Sequence, residues 1–131
     1  MSDKILIVEG ESALRKRYRS AFKALGYEVV TAGSARRAVD RVRREPVDLV
    51  VLDLVLPDCT GFRCLERLLS IRRDLKVVIN TAYTEYKDDF HSWAADAFLV
   101  KSSDLTELKQ TVTRLAFRDR TTALSASAAK A

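Results

Sequence analysis

Apolar positions along this chain follow two rhythms that alternate. Lys4 to Val8 is a run of Ile, Leu and Val too short for a helix, and it reads as a buried strand. The period then lengthens. Leu14, Tyr18, Ala21, Phe22 and Leu25 recur at helical spacing, with Ser12 placed to cap the start and Gly26 where a C′ glycine belongs. Tyr27 to Thr31 is β-rich. Ser34 is placed to cap a second helix whose inner face is Ala35, Ala38, Val39 and Val42, and Glu45-Pro46 stops it. Val47 to Leu54 is the strongest strand pattern. Pro57 to Gly61 is a loop by its turn residues, and Phe62, Leu65, Leu68 and Leu69 mark a third helix. Lys76 to Asn80 reads as a strand, residues 84–94 as a short polar helix, and Ala97 to Val100 as a fifth strand.

Asp104 and Glu107 resemble a capping box with Asp in the Ser/Thr place, opening a last helix striped by Leu105, Leu108, Val112 and Leu115. After about residue 119 the chain turns to Ser, Thr and Ala without apolar period. The expected organisation is one domain over residues 1–118 and a flexible tail or linker start over 119–131.

Strand and helix thus alternate five times. Apolar strands separated by helices argue a parallel sheet covered on both faces, and right-handed crossovers make it doubly wound. In such sheets function sits at the C-terminal ends of the strands.

Composition narrows the class. A chain of 131 residues, 47% hydrophobic, can bury a core as one domain. No apolar run approaches the roughly 18–20 residues that span a bilayer, and the N-terminus lacks signal-peptide character. The expectation is a soluble, cytoplasmic protein. Cys59 and Cys64 fit no zinc or redox spacing and read as reduced thiols; His91 alone builds no His-based metal site. The net charge is +5, concentrated in Arg15, Lys16, Arg17, Arg19 and Lys23, then in Arg36, Arg37, Arg41, Arg43 and Arg44. Long basic side chains commonly solvate outer helix faces, and that is the plainer reading here.

The strand ends carry the candidate chemistry: Glu9-Gly10-Glu11 after strand 1, Asp53 after strand 3, Thr81 after strand 4 and Lys101 after strand 5. Carboxylates suit a hard cation such as Mg²⁺. A metal and a lysine can neutralise phosphoryl oxygens, and a carboxylate can accept a phosphoryl group. Singly these residues mean little. Together, at one edge of one sheet, they point to Mg²⁺-assisted formation of an aspartyl phosphate.

These residues resemble the receiver domain of two-component response regulators over about residues 3–118. Residues 4–11 resemble its first strand and acidic turn. Residues 47–61 match its phosphoacceptor segment, with Asp53 as acceptor and Pro57 and Gly61 at fixed offsets. Thr81-Ala82 matches the switch threonine and its neighbour. Residues 95–101 match its fifth strand, with Phe98 as switch aromatic and Lys101 as its lysine. The resemblance implies a flavodoxin-like (βα)5 sandwich with strand order 2-1-3-4-5. It implies Mg²⁺ held by Asp53, Glu9 and the Val55 backbone carbonyl, with Glu11 a further candidate. It also implies phosphoryl contacts from Thr81 and Lys101. The implied partners are a sensor histidine kinase or phosphotransfer protein, and an output domain or downstream protein. A homodimer through the face of helix 4, strand 5 and helix 5 is also implied. The chemistry would be self-phosphorylation and autodephosphorylation, not enzymatic turnover of a metabolite.

Departures from the family pattern bear on this. Glu9-Gly10 stands where the family has two aspartates, so a carboxylate ligand is missing and weak Mg²⁺ binding is expected. The alternative is a pseudo-receiver acting through protein contacts alone. Ser102 replaces the usual proline after Lys101, and the span from Thr81 to Lys101 is short, which touches the fourth helix. Apolar Val55 and bulky Tyr83 predict slow loss of the phosphoryl group. In the implied topology the two basic stretches fall on different faces, so no direct nucleic-acid binding is expected. No glycine-rich phosphate loop supports an unrelated flavodoxin-like enzyme.

Overall fold

The computed structural model describes residues 3–86 and 94–116. Five parallel strands form one sheet: β1 (Lys4–Val8), β2 (Glu28–Ala32), β3 (Leu49–Leu52), β4 (Lys76–Thr81) and β5 (Ala97–Val100), in the order β2-β1-β3-β4-β5. This is the predicted order. Helices α1 (Ser12–Ala24), α2 (Ala35–Arg44) and α3 (Gly61–Ile71) connect the strands, and residues 106–116 form a C-terminal helix.

Because strand side chains alternate, β1 feeds two cores at once. Leu6 and Val8 join Val50, Leu52, Val77 and Ile79 under α2 and α3. Ile5 and Ile7 join Leu49, Val51 and Val78 under Tyr18 and Phe22 of α1 and Leu108 and Val112 of the C-terminal helix. Each such Leu or Ile removed from water contributes about 1.5–3 kcal/mol. Burial on both faces explains why residues 5–8 of β1 and Leu49–Leu52 of β3 read as unbroken apolar runs.

Local signals set the helix ends. Gly26, at φ 95°, ends α1. Its N–H donates to the Lys23 carbonyl at 3.0 Å and that of Tyr27 to the Phe22 carbonyl at 3.3 Å, a Schellman pair. The Phe22 and Tyr27 rings close the motif at 6.3 Å. The Ser34 hydroxyl accepts from Arg37 N at 3.2 Å and caps α2 as predicted.

Other expectations shift. Glu11, not Ser12, is the N-cap of α1, because its carbonyl takes the first helical bond from Arg15 N at 2.9 Å. Asp104 does not form the capping box. It accepts from Thr106 N at 2.9 Å, while its own N–H goes to Ser102 Oγ at 3.1 Å, and the Leu105 carbonyl takes the bond from Lys109 N. β3 is shorter than the 47–54 run, although Asp53 N still donates to the Val8 carbonyl at 3.0 Å. The helix predicted over 84–94 begins as a single 3₁₀ turn, Thr84–Tyr86, and its residues 87–93 lie outside the described residues, as do residues 117–131 with the predicted tail. No described helix is long and apolar enough to cross a membrane.

Candidate functional site

The carboxyl ends of β1, β3 and β5 meet as the parallel register requires. Val8 pairs with Leu52, so the next residues, Glu9 and Asp53, stand side by side. Thr81 pairs with Val100, and the Lys101 N–H donates to the Thr81 carbonyl at 2.7 Å, which brings the lysine to the same edge.

Glu9 and Asp53 are only 3% and 6% exposed. Their shared counter-ion is Lys101, whose Nζ lies 2.7 Å from Glu9 Oε1 and 3.0 Å from Asp53 Oδ2. The other oxygens take backbone donors: Glu9 Oε2 accepts from Glu11 N at 3.1 Å and Asp53 Oδ1 from Val55 N at 3.3 Å. Burial pushes the Glu9 carboxyl above the ordinary carboxylate range, against the opposing pull of the Lys101 hydrogen bond. Burial also works against the Lys101 ammonium, but the hydrogen bonds and charges of Glu9 and Asp53 outweigh it and hold its pKa above the usual lysine value.

Above the pair opens a crevice of about 420 Å³, whose lining includes Glu9, Gly10, Asp53, Val55, Tyr83 and Lys101. Ala82 and Glu11 also line it. The structure therefore brings together Asp53, Glu9, Lys101, Val55 and Ala82. Two of the predicted residues, Thr81 and Phe98, do not line the crevice. The Thr81 side chain is fully buried, and its Oγ1 accepts from Tyr83 N at 3.3 Å. Phe98 packs, partly buried, against the α2–α3 core. The Glu11 carboxylate completes no cluster, since among the described residues no three Asp, Glu, His or Cys side chains are grouped to hold a metal.

Gly10 is the point of departure in geometry as well as in sequence. A Cβ there would meet Pro57 Cδ at 3.4 Å and the Gly33 and Val55 carbonyl oxygens at 4.0 Å, ordinary contact distances. The place for a third carboxylate is therefore open and next to the Val55 carbonyl. What is present is an all-oxygen donor set of two carboxylates and one carbonyl. That set fits Mg²⁺, which is commonly held by one or two carboxylates with water and phosphate oxygens completing its shell.

Gly61 fixes the loop below the site. A Cβ on it would fall 2.4 Å from the Asp53 carbonyl oxygen and 2.5 Å from Leu54 Cα, so only glycine lets α3 start this close to the acceptor strand. Asp58 ties the same loop to α2, accepting from Ala35 N at 2.9 Å and Arg36 N at 3.0 Å. Those two N–H groups hold its carboxyl below the usual range.

Behind the site lies a pairing that the sequence reading, which placed Tyr18 in the α1 stripe and Asn80 at a strand end, did not anticipate. Tyr18 and Asn80, 2% and 4% exposed, hydrogen-bond through their side chains in an otherwise apolar layer. The available signal was Asn80 itself, because a polar residue inside a buried strand needs a partner.

The sequence profile of the response regulator receiver domain matches residues 5–113. Sporulation initiation phosphotransferase F of Bacillus subtilis is 32% identical over 86% of this chain and 92% of its own length. A probable transcriptional regulatory protein, TcrX of Mycobacterium tuberculosis, is 31% identical over 79% of this chain, which spans only 45% of that protein. Among solved structures, response regulator TrrA of Thermotoga maritima in complex with Mg²⁺-BeF superposes with a TM-score of 0.83 at 34% identity, covering 86% of this chain and 98% of its own. TrrA in complex with histidine kinase ThkA gives a TM-score of 0.81 at the same 34% identity, covering 86% of this chain and 97% of its own.

Proposed function

The chain belongs to the response regulator receiver domain family, and from that membership we propose that Asp53 is its phosphoacceptor, loaded by a histidine kinase or phosphotransfer protein. The observation that carries this is the Asp53 carboxylate at the floor of an open crevice, 3.0 Å from Lys101 Nζ.

The proposed reaction is an in-line transfer. An Asp53 oxygen attacks the phosphorus of a phosphohistidine, the P–N bond breaks, and the imidazole leaves with the electron pair and takes up a proton. Lys101 passes from the carboxylate to a phosphoryl oxygen. Thr81 gives up the Tyr83 N–H and turns its hydroxyl to a second oxygen, and Phe98 follows into the space vacated. A local change of charge thus biases the β4–β5 surface that an output domain or downstream protein reads. On β5, Val100 is 46% exposed, which supports a place for this strand in a homodimer face. Asp53, Glu9 and the Val55 carbonyl would hold Mg²⁺, which when bound supplies positive charge beside the phosphoryl oxygens. The missing carboxylate at Gly10 makes that binding weak. The domain turns over no metabolite. Val55 offers no group to orient a water, and Tyr83 crowds the crevice, so the loaded state decays slowly; loss of a phosphate label within seconds would contradict this.

The second reading is a phosphorylation-independent interaction module. It draws support from Lys101, whose ammonium bridges both carboxylates, and from Gly10, which brings no carboxylate of its own. Amide NMR with beryllium fluoride and Mg²⁺ separates the two. The acceptor reading expects shifts at Thr81, Ala82 and Lys101 that vanish in Asp53→Asn. Unchanged spectra at saturating reagent would support the module.

A further inference from the structure

A second crevice, of about 440 Å³, adjoins the first and shares Gly10 with it. Arg15, Thr31, Gly33, Arg37 and Arg41 line it, and a third hollow continues it along α2 past Arg44. The two basic helices lie on opposite faces of the sheet, yet Arg15 reaches to Gly33, in the turn that leads into α2.

Three features mark this trough as more than a solvated face. Arg15 is held in place: its Nη1 donates to the Glu9 carbonyl at 2.7 Å and the Gly10 carbonyl at 3.3 Å. It lies against Gly33 so closely that a Cβ there would be 2.9 Å from Nη1. These partners are carbonyls, and among the described residues no carboxylate pairs with it. Arg37 is exposed and, among the described residues, its guanidinium has no carboxylate partner, whereas Arg41 pairs with Glu45 at 2.9 Å and Arg44 with Asp40 at 3.7 Å. Finally, Arg36 and Arg37 occupy the first turn of α2, which has no acidic residue of its own and where the helix dipole disfavours cations; the Asp58 carboxylate at this end is taken up by the Ala35 and Arg36 N–H groups. Arg15 and Arg37, lining one trough without a carboxylate partner among the described residues, point to a use elsewhere.

We propose that this trough docks an acidic segment of the protein that brings the phosphoryl group to Asp53, an inference that rests on the acceptor reading above. A protein segment fits better than nucleic acid, because Asp40 and Glu45 interrupt the basic wall and no aromatic side chain lines it for base stacking.

The test is fluorescence anisotropy of a labelled octaglutamate peptide at low and high salt, with Arg37→Glu and Arg15→Gln as probes and exposed Arg19→Glu on α1 as a charge-matched control for the first. Arg37→Glu is expected to fold, since Glu three residues after Ser34 completes a capping box. The expected result is binding at low salt that both probe variants weaken about tenfold or more and the control changes by less than about twofold. Three results would each overturn the proposal: equal weakening by Arg19→Glu, no binding to the native chain at low salt, or tighter binding of a single-stranded oligonucleotide with the same Arg37 dependence. Acetyl phosphate labelling run beside it separates the two claims. Labelling without peptide binding removes only the trough; peptide binding without labelling removes the acceptor reading, and with it the docked donor.

Discussion

Gly10→Asp should restore tight Mg²⁺ binding. The added Cβ fits, with no neighbour nearer than 3.4 Å and the Val55 carbonyl oxygen at 4.0 Å. The backbone there is not in the left-handed region, so an aspartate enters without strain. A carboxylate about 5 Å from a unit positive charge is worth roughly 3 kcal/mol at an effective dielectric constant near 20. At 1.4 kcal/mol per tenfold, the Mg²⁺ dissociation constant should fall by about 100-fold. The same charge acts the other way without metal. Glu9 and Asp53 already share one ammonium, and a third carboxylate beside them adds repulsion that lowers the melting temperature of the metal-free variant. Calorimetric titration and thermal melts across a Mg²⁺ series read both effects. The native chain should gain little stability at millimolar Mg²⁺, whereas the variant should start lower and climb past it. Equal Mg²⁺ affinity in the two proteins would refute the reasoning, and would mean that Glu9 already supplies what the missing aspartate would have given.

Other substitutions probe the frame. Gly61→Ala drives a Cβ into the Asp53 carbonyl and Leu54 Cα, both backbone, and should cost about 3 kcal/mol in denaturant melts while lowering the labelling rate. Lys101→Met strands two buried carboxylates and should destabilise by about 2 kcal/mol at neutral pH, less than for a fully buried pair because the crevice admits water. Since the Lys101 pKa is raised in the fold, its stabilisation is complete below the unfolded value of 10.5 and disappears as pH rises through the folded value; alkaline melts of the native chain should show that loss and those of the variant should not. Asp58→Ala removes the second cap of α2 and should cost about 1 kcal/mol above pH 3.8. Because its folded pKa is depressed, native and variant stabilities should converge as pH falls below that value.

The sequence carried the fold where burial is two-sided, since strands such as Leu49–Leu52 are apolar at every position and cannot face water. It carried the helix ends where one residue does the work, as at Gly26 and Ser34. It misplaced the caps at Ser12 and Asp104, where several polar neighbours compete and only the chain's entry direction chooses among them. The gathering of Glu9, Asp53 and Lys101 was legible because parallel strand ends converge whatever the loops do. The inward lock of Thr81 on the Tyr83 N–H was not legible, because a side-chain rotamer leaves no mark on spacing. Nor was the Arg15 reach to Gly33, which depends on two loops meeting at the sheet edge.

The acceptor role of Asp53 is tested most directly by intact mass after incubation with acetyl phosphate, with and without Mg²⁺, beside Asp53→Asn. One phosphoryl increment that requires Mg²⁺ and is absent from the variant is the expected result. An unmodified native chain at high Mg²⁺, sampled faster than hydrolysis could remove the label, or an increment that persists in Asp53→Asn, would contradict it.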